Sequence, residues 1–213
     1  MNRWLIIAGG FAAFAATPAA AQRFGPDYSQ RGLPGGSDTI SSGGELTGKD
    51  MGPVGCIYQY THRIPRPDAV DLVKNGYAAK TSKQKETFQM VGEAIAACRA
   101  GTGWSAKRQD IAVKFFSAKI LAEDAIYQGR DLGLTVAVVR ALDARLDADT
   151  KAAFASGQVD GARMAVATAQ LKAAGLDPAA LTEEQRQTLA PLLARALWGL
   201  YQQQAAAAAY KAG

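Results

Sequence analysis

The stretch Ser105 to Gln128, SAKRQDIAVKFFSAKILAEDAIYQ, constrains this chain most, because its apolar residues fall on two separate sides of one helix. At about 100° per residue, Ile111, Phe115, Ala118, Ala122 and Ile126 form one stripe, while Val113, Phe116, Ile120 and Tyr127 form another. A helix that is apolar on two flanks needs neighbours on both, so the rest of the chain is expected to wrap around it. A broad polar stripe carries Asp110, Lys114, Ser117, Asp124 and Gln128. A narrow one, lying between the apolar stripes, holds Lys119 and Glu123. Ser105 suits an N-cap and Gly129 a stop, which makes the element about 35 Å long.

The chain opens with MNRWLIIAGGFAAFAATPAAAQ, in which Arg3 precedes an apolar run from Trp4 to Ala16 and Ala19 and Ala21 form an Ala-x-Ala site. This is the pattern of a secretory signal peptide at residues 1–21, with cleavage expected after Ala21. The run is short for a membrane span, and no later stretch is long and apolar enough for one, so the mature chain is expected to be soluble and periplasmic or secreted. Removing residues 1–21 takes away Arg3 alone among charged residues, so a formal charge of +5 becomes +4 on 192 residues. Export and dispersed basic residues argue against a nucleic-acid partner.

Residues 22–52 contain eight Gly, four Ser and two Pro, with few large aliphatic side chains. Such a segment buries too little to offset its ordering entropy, and it reads as a disordered leader. Within it, GGELTGKD at 43–50 matches the Gly-x4-Gly-Lys part of a phosphate-binding loop. Asp50 stands where Ser or Thr would hold magnesium and no apolar strand precedes it, so it is not read as a phosphate site.

The helical domain is therefore placed at 53–213 and is expected to open with an extended segment. In CIYQYTHRI, Cys56, Tyr58, Tyr60, His62 and Ile64 would share one side of an extended chain. Tyr58, Tyr60 and His62 are candidates for ligand binding, and the same rings read better as a lid over a helix face. A short helix capped by Asp68 and a longer one from about Ser82 to Arg99 follow, the second with an apolar stripe of Phe88, Val91, Ile95 and Cys98. With only two cysteines in an exported chain, Cys56 and Cys98 are the natural disulfide pair. The chain-entropy model gives such a bond roughly 4 kcal/mol.

Beyond the central helix, LTVAVVRALDARL suggests a helix, with a strand open as an alternative for Leu134 to Val139. Asp149 is expected to cap a short helix through Phe154, and another runs from Asp160 toward Gly175. The last helix opens with a capping box at Thr182 and Gln185 and is expected to kink or restart at Pro191, with a frayed alanine tail. The string LTEEQ at 181–185 resembles the Leu-Thr-x-x-Gln motif of small periplasmic stress chaperones of the Spy and CpxP type. It covers five residues and occurs once, where that family carries it twice, and a capping box preceded by an apolar residue has the same form. The fold class that follows is all-α: a single irregular bundle of about six helices around the central helix (105–128).

Motifs of known chemistry are scarce. His62 is the only histidine, which excludes multi-histidine zinc sites, and Asp143, Asp147 and Asp149 lack calcium-loop spacing. No metal site or cofactor is expected. The leading functional reading is a non-catalytic cell-envelope binding or accessory protein, whose partner is an envelope protein, a cell-wall polymer or a small ligand. The alternative is a carboxylate-based hydrolase or lyase acting on an envelope polysaccharide. Glu123, with Lys119, is the catalytic candidate for that chemistry. The pair is expected at an exposed rim between packed helices; the competing arrangement is a buried polar spot beside an apolar cleft.

Overall fold

The structure is a computed structural model that describes residues 52–213, with side chains from Val54 onward. The signal peptide, the Gly/Ser-rich leader and the Gly-Lys string at 43–50 lie outside the described residues. Among the described residues eight α-helices and no strand are present: α1 (Cys56–Thr61), α2 (Arg66–Lys74), α3 (Ser82–Thr102), α4 (Ala106–Gly129), α5 (Val136–Asp143), α6 (Ala148–Ser156), α7 (Gly161–Leu171) and α8 (Glu183–Ala212). None of these helices is long and apolar enough to cross a membrane.

The central helix is α4, capped by the Ser105 hydroxyl, which accepts a bond from the Arg108 N–H. Its two apolar stripes go to two different sets of neighbours. Val113, Phe116 and Ile120 join a core built with Ile57, Leu72 and Ile95 from α1, α2 and α3. The other stripe faces α8 for most of its length. Phe115 meets Val54 and Ala206, and Ala122 and Ile126 enter a second core with Val139, Leu142, Phe154, Leu171 and Leu197. One helix therefore belongs to both main cores, the arrangement that a helix apolar on two flanks requires.

Contact between α4 and α8 is close because small residues meet there. A Cβ placed on Gly199 would lie 2.5 Å from the Ala122 Cβ and 2.7 Å from the Ala118 carbonyl oxygen, so only glycine fits. The α8 helix runs without interruption through Pro191, and the expected restart is absent. Its stripe of Leu189, Leu192, Leu193, Leu197 and Leu200 is buried on both sides of the proline. Keeping that stripe in register offsets the loss of one backbone hydrogen bond. Nor is the alanine tail frayed, since Trp104 donates its Nε1–H to the Tyr210 hydroxyl at 2.6 Å and ties the end of α8 to the start of α4. Thr182 and Gln185 form the expected capping box, and Thr81 and Gln84 form a second one at the start of α3.

The Cys56–Cys98 disulfide is present, with a Cα–Cα distance of 5.9 Å, and joins α1 to α3. The expected extended segment is instead the short helix α1. Ile57, Tyr58, Thr61 and Ile64 are buried, spacings of three and four that suit a helical turn better than alternation. Leu134 to Val139 forms no strand, because the Thr135 hydroxyl caps α5 by accepting from the Val138 N–H. Asp147 rather than Asp149 caps α6, and α2 begins at Arg66, with Asp68 inside its first turn instead of capping it.

Two glycine substitutions test the close approach of α4 and α8. Gly199→Ala should destabilise the protein by about 1–3 kcal/mol through overpacking. Gly92→Ala, at a helical position where an added Cβ meets nothing within 4 Å, should stabilise it by about 0.5–1 kcal/mol. Urea unfolding of the two variants checks this, and a Gly199→Ala protein as stable as the parent would refute the close crossing.

Candidate functional site

The narrow polar stripe of α4 is closed off from water. Lys119 and Glu123 are each 1% exposed, with Nζ and Oε1 2.8 Å apart. Their approach is oblique, outside the angles of a good hydrogen bond, and a Lys preceding a Glu by four residues is the weaker order for such a pair. The attraction is therefore mainly Coulombic. Two ions withdrawn from water cost several kcal/mol each, so the pair needs further support.

Tyr58 of α1 supplies it in two ways. Its hydroxyl donates to Glu123 Oε2 at 2.7 Å, a charge-assisted bond, and its ring lies beneath the Lys119 ammonium at 4.3 Å from the centroid. The position of Tyr58 follows from its neighbours, because Cys56 is bonded to α3 and Ile57 is fully buried. The exposed rim expected of this pair is thus replaced by a buried one, and the reason is the short helix α1, whose aromatic side chain covers the strip.

Of the other residues singled out from the sequence, Tyr60 is 52% exposed and His62 lies on the surface, its Nδ1 within 2.6 Å of the Gln59 carbonyl oxygen. Helical geometry sends Tyr58 inward and Tyr60 outward, so the three candidates do not converge on one ligand. The three aspartates near α6 have structural partners. Asp143 accepts from the Tyr201 hydroxyl at 3.0 Å and pairs with Lys151, and Asp149 lies 3.8 Å from Arg163. Asp147 caps α6, and the Thr150 backbone N–H holds its carboxyl below the usual carboxylate range. Burial and the Asp143 carboxylate push the Tyr201 hydroxyl upward. Among the described residues no group of His, Cys, Asp and Glu is arranged to hold a metal ion.

Sequence reasoning missed a groove of about 410 Å³ between α2 and α4. From α2 come Arg66, Val70 and Lys74, spaced four apart along one face; Asp124, Tyr127 and Gln128 come from α4. Arg66 is 2% exposed, with its guanidinium carbon 3.7 Å from the centroid of the Tyr127 ring, and Arg130 stands 3.8 Å from the same centroid. Two guanidinium groups at those heights cannot share one face, so the ring is held between them. Asp124 Oδ2 accepts from Gln128 at 2.7 Å and from Arg195 at 3.4 Å. The only signal in the sequence was the broad polar stripe of α4, on which Asp124 and Gln128 sit.

In comparisons with protein families, curated proteins and solved structures, the chain has no match.

Substitutions separate the structural role of the pair from a chemical one. Glu123→Gln leaves a buried ammonium without its counter-charge and should cost about 3–5 kcal/mol. The double change Lys119→Met with Glu123→Leu should recover most of that loss, because apolar replacement of a buried ion pair is often neutral or favourable. Chemical denaturation of both proteins decides it. A Glu123→Gln variant of unchanged stability would mean that the pair is solvated.

Proposed function

We propose that this chain is an exported cell-envelope protein that acts by binding, through its helical body, rather than by catalysis. The observation that carries this reading is the enclosure of Glu123. A general acid must come within hydrogen-bond reach of the group it protonates, directly or through one water. Glu123 is 1% exposed, covered by Tyr58, neutralised by Lys119 and absent from the lining of the groove between α2 and α4, which gives a substrate no approach to it. The carboxylate-based hydrolase or lyase has no comparable observation in its favour.

Two further features support an exported protein. A disulfide at Cys56 and Cys98 suits an oxidising compartment, and the start of the sequence has the n-region, apolar run and Ala-x-Ala pattern of a signal peptide cleaved near Ala21. The binding partner in this reading is an envelope protein, a cell-wall polymer or a small ligand.

Affinity capture from envelope extract, using the disulfide-bonded protein as bait, tests the proposal. The parent and the Lys119→Met, Glu123→Leu double variant should retain the same partner, and neither should degrade envelope polysaccharide. Polysaccharide cleavage by the parent that disappears in the folded double variant would overturn the binding role in favour of an enzyme.

A further inference from the structure

We propose that the groove between α2 and α4 binds a small organic anion, whose carboxylate or phosphate group lies between Arg66 and Lys74 and whose apolar portion rests on Pro67 and Val70. The inference deepens the binding role proposed above and rests on it. The volume of about 410 Å³ falls within the range of small-molecule sites, roughly 300–1,000 Å³. The other surface features are weaker candidates. Among the described residues the exposed large apolar side chains are single residues, Tyr60 on α1, Met90 on α3 and Val166 on α7, and single exposed residues of this kind are ordinary.

The charge distribution in the groove selects the ligand. Both lining carboxylates are already engaged by the protein itself. Asp124 is bonded to Gln128 and paired with Arg195, and the two oxygens of Asp71 accept from the side-chain amides of Asn75 and Gln84 at 2.9 and 2.7 Å. Lys74, by contrast, is exposed and forms no ion pair with the described residues, leaving its three ammonium donors to a ligand. Arg66 is the fixed member. Its guanidinium is held against Tyr127, so little side-chain freedom is lost when an anion approaches it.

The helix geometry brings the two cations within reach of one anion. Lys74 lies eight residues after Arg66 on the same face of α2, about 12 Å along the axis. The tilt toward the helix N-terminus is common to both side chains, so it is the flexible four-carbon stem of Lys74, bending back along the groove, that narrows the gap to the immobilised arginine. Pro67 and Val70 lie between them, which places apolar surface beside the anionic position. Both faces of the Tyr127 ring are covered by arginines, so the ring is not a stacking platform for a sugar.

The test is a titration of the disulfide-bonded protein followed by ¹H–¹⁵N spectra. The probes are benzoate and phenyl phosphate, with benzyl alcohol as the neutral control and benzylamine as the cationic one. The expected result is saturable shifts confined to residues 66–74 and 124–128 with one or both anions, at about millimolar affinity, and none with either control. Whichever anion binds more tightly identifies the group as carboxylate or phosphate. Lys74→Glu and Lys74→Gln, at an exposed position, should lower the thermal midpoint by no more than a few degrees, the cost of losing a cation at the C-terminal end of α2, and should weaken binding by at least about fivefold, more for the glutamate. No saturable shift with either anion, equal shifts with the controls, or Lys74 variants that bind as the parent does would each overturn the proposal. An envelope partner captured equally by parent and Lys74→Glu protein, together with no anion binding, would sink the groove and leave the binding role standing. Polysaccharide cleavage, in turn, would overturn the binding role without affecting the titration.

Discussion

The bond from the Tyr58 hydroxyl to Glu123 is the contact on which the arrangement of this protein depends. It lies on the narrow polar stripe of α4, between the apolar stripes that enter the two main cores. Without it, Lys119 and Glu123 would be two ions in a low-dielectric interior, paired at a poor angle and in the unfavourable order. With it, the carboxylate has a charge-assisted partner, the ammonium has an aromatic face, and α1 has a reason to sit where it does. The disulfide acts on the same point. By fixing Cys56 to α3, it reduces the freedom of the residue two positions before Tyr58, and so lowers the entropy cost of forming the bond.

Much of this was legible in the sequence, and the exceptions have physical causes. The two apolar stripes of α4 were readable because a 24-residue helix repeats its period often enough to leave no ambiguity. The disulfide was readable by count. The short segment at Cys56 to Ile64 was not, because nine residues satisfy both an alternating and a helical pattern, and burial decided for the helix. That one ambiguity hid the site. As an extended strand, Tyr58 would have shared a side with Tyr60 and His62; as a helix, it turns inward alone. At Pro191 the restart is overridden by the leucine stripe on either side of it, through which α8 continues. The groove was illegible for a further reason: Arg66 and Tyr127 are brought together only by the packing of α2 on α4, and nothing local marks either of them.

The same contact separates the interior chemistry from the surface chemistry. Glu123 faces inward to Tyr58, while Asp124, the next residue, faces the groove and pairs with Arg195. Adjacent carboxylates on α4 thus take different roles because about 100° of helix rotation puts one under α1 and the other toward α2. The first is committed to holding the cores together, and any ligand chemistry belongs with the second. The cations facing the groove are likewise of two kinds: an arginine immobilised on an aromatic ring and a lysine exposed on the helix surface.

The enclosure of Lys119 is the central claim, and chemical modification of lysines in the native protein tests it most directly. Brief treatment with an acetylating reagent, followed by peptide mass spectrometry, should modify Lys74 and Lys83 readily and leave Lys119 unmodified until the protein is unfolded. Modification of Lys119 at the rate of those surface lysines, with the protein still folded, would contradict the account.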